Sequence, residues 1–351
     1  MNRNFGLDLL RAISIWLVLL QHLGLSVPGF TQLKIGGVGV EIFFVLSGFL
    51  IGGILFKEIN KGLGFKKTLF NFWIRRWFRI LPLYYGILLF KFIFLDHSVG
   101  WNIIYYILFL QNNFYGIDFY HVTWSLVIEE WFYIFVPIFL LVAQQFTQSK
   151  KCILLLCLTF IVFVNVLRLV YVSLWDVPYV GVNSNFPFRF DSLFLGVVLA
   201  YLQLNFTDFF KKLQNLKTFI LGFILFLAYL SFFYALSTPE NKIDQSIFIR
   251  TAGFFILPFT ITLMVPFVAG LDFNIDGSYL KKILFHFITY TSLLTYAIYL
   301  LHPLVFTFVT TLALSVFTKY LLCVILTYIS AFTVYKFYEK PILQLRERFT
   351  V

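Results

Sequence analysis

The chain has 351 residues, of which 60% are hydrophobic and 12% charged, with a mean hydropathy of +0.89. That composition leaves too little polar surface to cover a soluble globule and supplies many apolar runs near twenty residues, so it predicts an all-α, polytopic membrane protein. A net charge of +11 could suit nucleic acid, but the basic residues gather between apolar runs, which predicts membrane lipids as partners and no nucleic acid.

Eleven apolar runs are expected, near residues 7–23, 37–56, 80–95, 103–115, 124–143, 152–174, 188–203, 218–236, 247–270, 283–309 and 320–337. The first contains Asp8 and Arg11 and is followed by no small-x-small cleavage site, which predicts a retained helix rather than a cleaved signal. Arg11 and His22 would lie about 16 Å apart along that helix and within about 20° of one face. A cation and an imidazole on one line through a bilayer are functional candidates, the imidazole for proton transfer.

The second run carries Glu41 and the small residues Gly48 and Gly52, which with Gly196 and Ala200 predict close helix approach. Ser47 is a weak nucleophile candidate, since a serine in a buried helix more often bonds its own backbone. From Lys57 to Arg79 the chain places Lys57, Lys61, Lys66, Lys67, Arg75, Arg76 and Arg79 against a single acid, Glu58. Arg76 and Arg79, three residues apart on one helix face, can grip phosphate oxygens, although ordinary anchoring at the cytoplasmic face would use the same residues.

If all eleven runs span, Lys150, Lys151, Lys211, Lys212 and Lys217 fall outside, against the positive-inside tendency. If the short run 103–115, broken by Gln111, Asn112 and Asn113, is re-entrant or interfacial, every basic cluster moves to one side. Ten spans with both termini cytoplasmic are therefore expected. In that threading His22, Glu41, Glu129, Glu130 and His302 share the outer half, and Arg11 and the arginine cluster lie at the inner end. Glu129 and Glu130 diverge by about 100°, so one can face a site while the other pairs with a cation such as Arg189. His302 precedes Pro303, which loosens the helix locally. The three cysteines, Cys152, Cys157 and Cys323, lie in apolar runs without metal-ligand spacing, which predicts packing roles and no metal.

Seven fragments occur in order: LDLLRA with the Arg-x10-His spacing of Arg11 and His22, FFVLSGFLI, RRWFRILPLYY, WSLVIEEWFY, RFDSLFLG, YAIYLLHP and FYEKP. Together they resemble the acyltransferase 3 family of bacterial integral-membrane acyltransferases over essentially the whole chain. The resemblance implies acyl-CoA, usually acetyl-CoA, as cytoplasmic donor, and a hydroxyl of an outward-facing glycan as acceptor. It also implies an essential histidine at His22 and a functional arginine pair at Arg76 and Arg79. Some family members carry an extra soluble domain; a single membrane domain over 1–351 is expected here.

The expected function is thus O-acyl transfer, as by an O-acetyltransferase, in the bacterial inner membrane. The acceptor would be a surface glycan such as lipopolysaccharide O-antigen or exopolysaccharide, free or lipid-linked. Arg76 and Arg79, helped by Arg75 and Arg11, would hold the CoA phosphates. His22 would act as general base, with Glu41 or Glu130 orienting it and His302 serving the oxyanion. Trp124, Glu129, Arg189 and Asp191 are candidates for holding the acceptor. A covalent acyl-histidine route competes with direct transfer. A proton-coupled transporter or flippase of a lipid-linked sugar is the alternative, which inverted repeats would favour; the sequence offers none.

Overall fold

A computed structural model describes residues 4–27, 35–237, 242–273 and 279–349, and among these every regular element is helical, with no strand. The first half contains α1 (Phe5–Ser26), α2 (Gly36–Asn60), α3 (Phe65–Phe94), the short α4 (Ile103–Ile107) and α5 (Gln111–Phe114), α6 (Trp124–Phe146), α7 (Lys150–Trp175) and α8 (Tyr179–Ser184). The second half contains α9 (Phe190–Asn205), α10 (Thr207–Leu213), α11 (Leu216–Leu236), α12 (Ile247–Arg250), α13 (Gly253–Ala269), α14 (Tyr279–Thr311), α15 (Val316–Val334) and α16 (Lys340–Arg346).

Several helices begin at polar caps that satisfy a first-turn N–H. Leu7 N donates to Asn4 Oδ1 at 3.0 Å, and Thr218 N donates to Asn215 Oδ1 at 2.9 Å. Nine helical segments among the described residues are long and apolar enough to cross a bilayer. The 17-residue α13, with Pro258 and Pro266 inside it, makes a shorter tenth. This is the multi-pass helical architecture that the apolar runs predict.

The exception is 103–115, as expected from its polar interruption. It folds as α4 and α5, each far too short to span. Backbone that leaves regular helix inside an apolar layer needs other partners for its carbonyls. Tyr84 donates to Tyr106 O at 2.8 Å, Tyr85 to Ile107 O at 2.9 Å, and Trp131 Nε1 to Phe109 O at 2.9 Å. Asn112 Nδ2 donates to the carbonyls of Trp124 (2.8 Å) and Ser184 (2.7 Å), so this asparagine pins the segment to the start of α6 and the end of α8.

The ten longer helices alternate in direction, which returns α16 to the face where α1 starts. Asn4 Nδ2 donates to Ala269 O at 2.7 Å, and Phe349 lies 5.5 Å from Phe78, tying both chain ends to that face. The clusters Lys57/Lys61, Lys150/Lys151 and Lys211/Lys212 sit at helix ends on the same face. At the opposite face Arg250 pairs with Asp176 at 2.7 Å, and Asp244 accepts from Tyr179 N at 2.7 Å.

Close packing joins α2 to α9. A Cβ on Gly48 would collide with Leu193 O, and one on Gly196 with Val45 O, so these two glycines let the backbones touch. Beside this seam Arg168 of α7 and Asp191 of α9, both fully buried, form an ion pair at 2.8 Å. Phe188 O accepts from one Nη of Arg168 and Asn165 Oδ1 from the other, each at 2.6 Å.

Candidate functional site

Two cavities lie end to end between α1, α2, α6 and α14, with α8, α11 and α13 completing one and α3 the other. One, of about 340 Å³, is lined by His22, Gln21, Glu41, His121, Trp124 and Asn183 among others, and we call it the histidine cavity. The other, of about 230 Å³, is lined by Arg11, Arg76, Arg79, Ser47, Glu129 and Tyr133, and forms the arginine cavity. Each of the four helices contributes to both. On α1 the order is Arg11 then His22; on α2 Ser47 follows Glu41; on α6 Glu129 follows Trp124. The cavities therefore succeed one another along the helix axes, with the arginines toward the face that bears the lysine clusters.

His22 is half-buried, and its Nδ1 lies 2.8 Å from Val18 O. A carbonyl only accepts, so Nδ1 carries the proton and Nε2 is the basic nitrogen. The backbone of α1 thus performs the orienting role that the sequence reading gives to Glu41 or Glu130. Glu41 lines the histidine cavity but accepts a hydrogen bond from Arg189, whose other Nη donates to Asn183 Oδ1 at 2.6 Å. Arg189 also stacks over Phe254 at 4.4 Å. The partner of Arg189 is therefore Glu41, not Glu129 or Glu130.

His302 is fully buried and lines neither cavity. Its Nδ1 is 3.1 Å from Ile298 O, and its ring meets that of His22 edge-on at 4.8 Å. From there its ring packs directly against that of His22. Glu130, also buried, lines neither cavity. Asp191 is spent on Arg168, away from both. Trp124 does line the histidine cavity, edge-on to Phe44 at 6.2 Å.

The carboxylates and imidazoles expected in one layer are thus split: Glu41 accompanies His22, while Glu129 belongs to the arginine cavity. There Tyr133 donates to Glu129 Oε2 at 3.0 Å, and Ser47 Oγ lies 2.6 Å from the Tyr133 hydroxyl. With its proton committed to Glu129, Tyr133 must accept from Ser47. Arg76 lies over the Tyr133 ring at 5.5 Å. Among the described residues no carboxylate lies within ion-pair distance of Arg76 or Arg79. Arg11 approaches Asp8 at 3.6 Å. Arg75 is the odd member of the cluster, since it turns away to Glu58 at 2.9 Å and does not line the cavity.

The family of acyltransferase domains matches residues 4–336. The chain belongs to the acyltransferase 3 family. It is 29% identical over 376 residues to the peptidoglycan O-acetyltransferase OatA of Listeria monocytogenes serovar 1/2a, covering 96% of this chain and 55% of that protein. It is 27% identical over 364 residues to the O-acetyltransferase OatA of Staphylococcus aureus strain NCTC 8325, covering 96% and 57%. The chain therefore spans little more than half the length of the relatives it matches. No solved structure matches it.

Within this acyltransferase 3 member, sequence reasoning passed over several lining residues. His121, Asn183 and Asp244 reach the histidine cavity from loops and short helices, where no periodicity announces them. Arg168 carried a signal, because an arginine inside an apolar run needs a buried partner.

Proposed function

We propose that this protein is an O-acetyltransferase of the bacterial cytoplasmic membrane, taking an acetyl group from acetyl-CoA at the arginine face and delivering it to a hydroxyl of a cell-envelope glycan at the histidine face. The observation that carries this reading is the alignment of the two cavities along α1, with Arg11, Arg76 and Arg79 at one end and His22 at the other. The positive-inside tendency supports placing the arginine face, with its lysine clusters, in the cytoplasm where CoA esters are made. The printed name of the Listeria relative gives peptidoglycan as acceptor. Peptidoglycan, lipopolysaccharide O-antigen and exopolysaccharide share sugar hydroxyls outside the membrane, and that is the acceptor class proposed.

The residues present fit such a donor. Arg76 and Arg79 offer guanidinium groups that no carboxylate among the described residues grips in a direct ion pair, suited to bidentate contact with phosphate. Arg11 adds a third cation where the donor would turn along α1. At the far end His22 Nε2 takes the proton of the acceptor hydroxyl as its oxygen adds to the thioester carbonyl. That addition makes the new C–O bond; collapse of the tetrahedral intermediate restores the carbonyl and breaks the C–S bond, and His22 returns the proton to the departing sulfur. The histidine cavity supplies polar edges for a sugar in His121, Asn183 and Asp244, and an aromatic face in Trp124.

The test is an oriented proteoliposome assay in which acetyl-CoA and a glycan acceptor are given to opposite faces. Release of CoA is expected only when acetyl-CoA meets the face bearing Lys57 to Arg79. His22→Ala should lower turnover by about 10² to 10⁴ while leaving CoA binding in place. Turnover requiring both substrates on one side would overturn the trans-bilayer arrangement, and glycan movement without acyl gain would make the protein a transporter.

A further inference from the structure

Val40 of α2 and Tyr299 of α14 are the only residues, among those described, that line both cavities. Both are buried, at 6% and 7% exposure, so the partition between the cavities is narrow. We infer that Val40 and Tyr299 form the constriction through which the acyl thioester reaches His22, and that the side chain at position 40 excludes branched and cyclic acyl groups. This rests on the donor reading above.

Three observations make the constriction stiff. The Tyr299 hydroxyl donates to Val122 O at 2.6 Å and lies 2.7 Å from Ser125 Oγ, so the turn just before α6 and the first turn of α6 together hold the ring in place. Val40 is β-branched and has little rotamer freedom in a helix. Its neighbour Gly39 packs so closely on Ser14 O of α1 that a Cβ there would clash, so α2 cannot back away from the axis. The width of the passage is then set by the two methyls of Val40.

The object that crosses is the donor arm rather than the sugar. An extended chain of methylenes and amides is thinner than a pyranose ring, and the phosphates that anchor it would remain with Arg76 and Arg79. The acyl group enters first. A linear acyl group has the cross-section of the arm behind it, whereas a branch at the α-carbon or a ring is wider and meets Val40. Selection by the partition is therefore against width and not against length.

The experiment compares kcat/KM for acetyl-CoA, n-butyryl-CoA, isobutyryl-CoA and benzoyl-CoA with the full chain in lipid nanodiscs. Val40→Ala should raise the isobutyryl-to-acetyl ratio about tenfold or more, the scale on which an apolar site discriminates a methyl group, with little change in the n-butyryl-to-acetyl ratio. Tyr299→Phe, which frees the ring from both hydrogen bonds, should move the same ratio in the same direction and decides the matter if Val40→Ala does not yield folded protein. A wild-type isobutyryl-to-acetyl ratio in the folded variant would overturn the proposal while leaving the donor reading standing. Absence of turnover by the wild-type chain with every acyl-CoA would overturn the donor reading and this inference with it.

Discussion

Arg168 and Arg189 on one side, and Arg76 and Arg79 on the other, are the same side chain in two settings. The first two are fully buried and matched by carboxylates, Asp191 at 2.8 Å for Arg168 and Glu41 for Arg189. The second two line a cavity in which, among the described residues, no carboxylate comes within ion-pair distance of them, the nearby Glu129 being held by Tyr133. A buried charge without a partner is costly, so the matched pairs hold helices together, whereas unmatched cations beside a cavity are suited to an anion from outside. The pairing state, rather than the depth or the residue type, separates structure from ligand binding here.

The strongest way to break that comparison is to remove one member of a matched pair. Asp191→Ala should leave Arg168 buried and alone, costing about 3 to 5 kcal/mol, read as loss of monodisperse protein after solubilisation and a large fall in Tm. The double change Arg168→Met with Asp191→Leu should recover much of the loss, because apolar residues of similar volume can replace a buried pair. A folded Asp191→Ala protein with wild-type Tm and impaired acceptor use would return Asp191 to the acceptor site.

Such pairings explain how far the sequence could be read. The helices were legible because apolar runs must span, and the polar break at Gln111 to Asn113 correctly removed 103–115 from the spans. The small residues Gly48 and Gly196 marked a real backbone contact. What sequence could not supply was azimuth between helices. Depth was also too coarse, since Glu41 and Glu129 are expected in one layer, yet the turn and a half of α6 from Trp124 carries Glu129 past the partition. Arg189 and Asp191 are two residues apart, and nothing in their spacing tells that one faces Glu41 and the other Arg168. Val18 O was invisible as the partner of His22 because every backbone carbonyl looks alike in a sequence.

On the unmatched side, Arg76→Ala should leave the fold intact and weaken CoA binding. Loss of a hydrogen bond to a charged group is worth about 1.5 to 3 kcal/mol, or roughly 10- to 150-fold in Kd, measurable by calorimetry on purified protein. Arg76→Lys should recover only part, since an ammonium keeps the charge but not the planar fork. Unchanged CoA affinity in both Arg76→Ala and Arg79→Ala would make the pair a membrane anchor.

Arg75 offers the finest discrimination, because it is the immediate neighbour of Arg76 and carries the same charge. Its guanidinium lies 2.9 Å from Glu58, a carboxylate that Lys61 also reaches at 2.8 Å. By the pairing rule it is a structural cation, so Arg75→Ala should cost about 1 kcal/mol or less, discounted because Arg75 is partly exposed and Lys61 remains. CoA affinity should change by no more than about twofold, the residue of a lost long-range attraction weakened by screening. The paired measurement is CoA affinity in Arg75→Ala beside Arg76→Ala at the same ionic strength. If Arg75→Ala loses as much affinity as Arg76→Ala, then Arg75 must leave Glu58 for the donor, and an ion pair seen in the absence of ligand does not mark an arginine as structural.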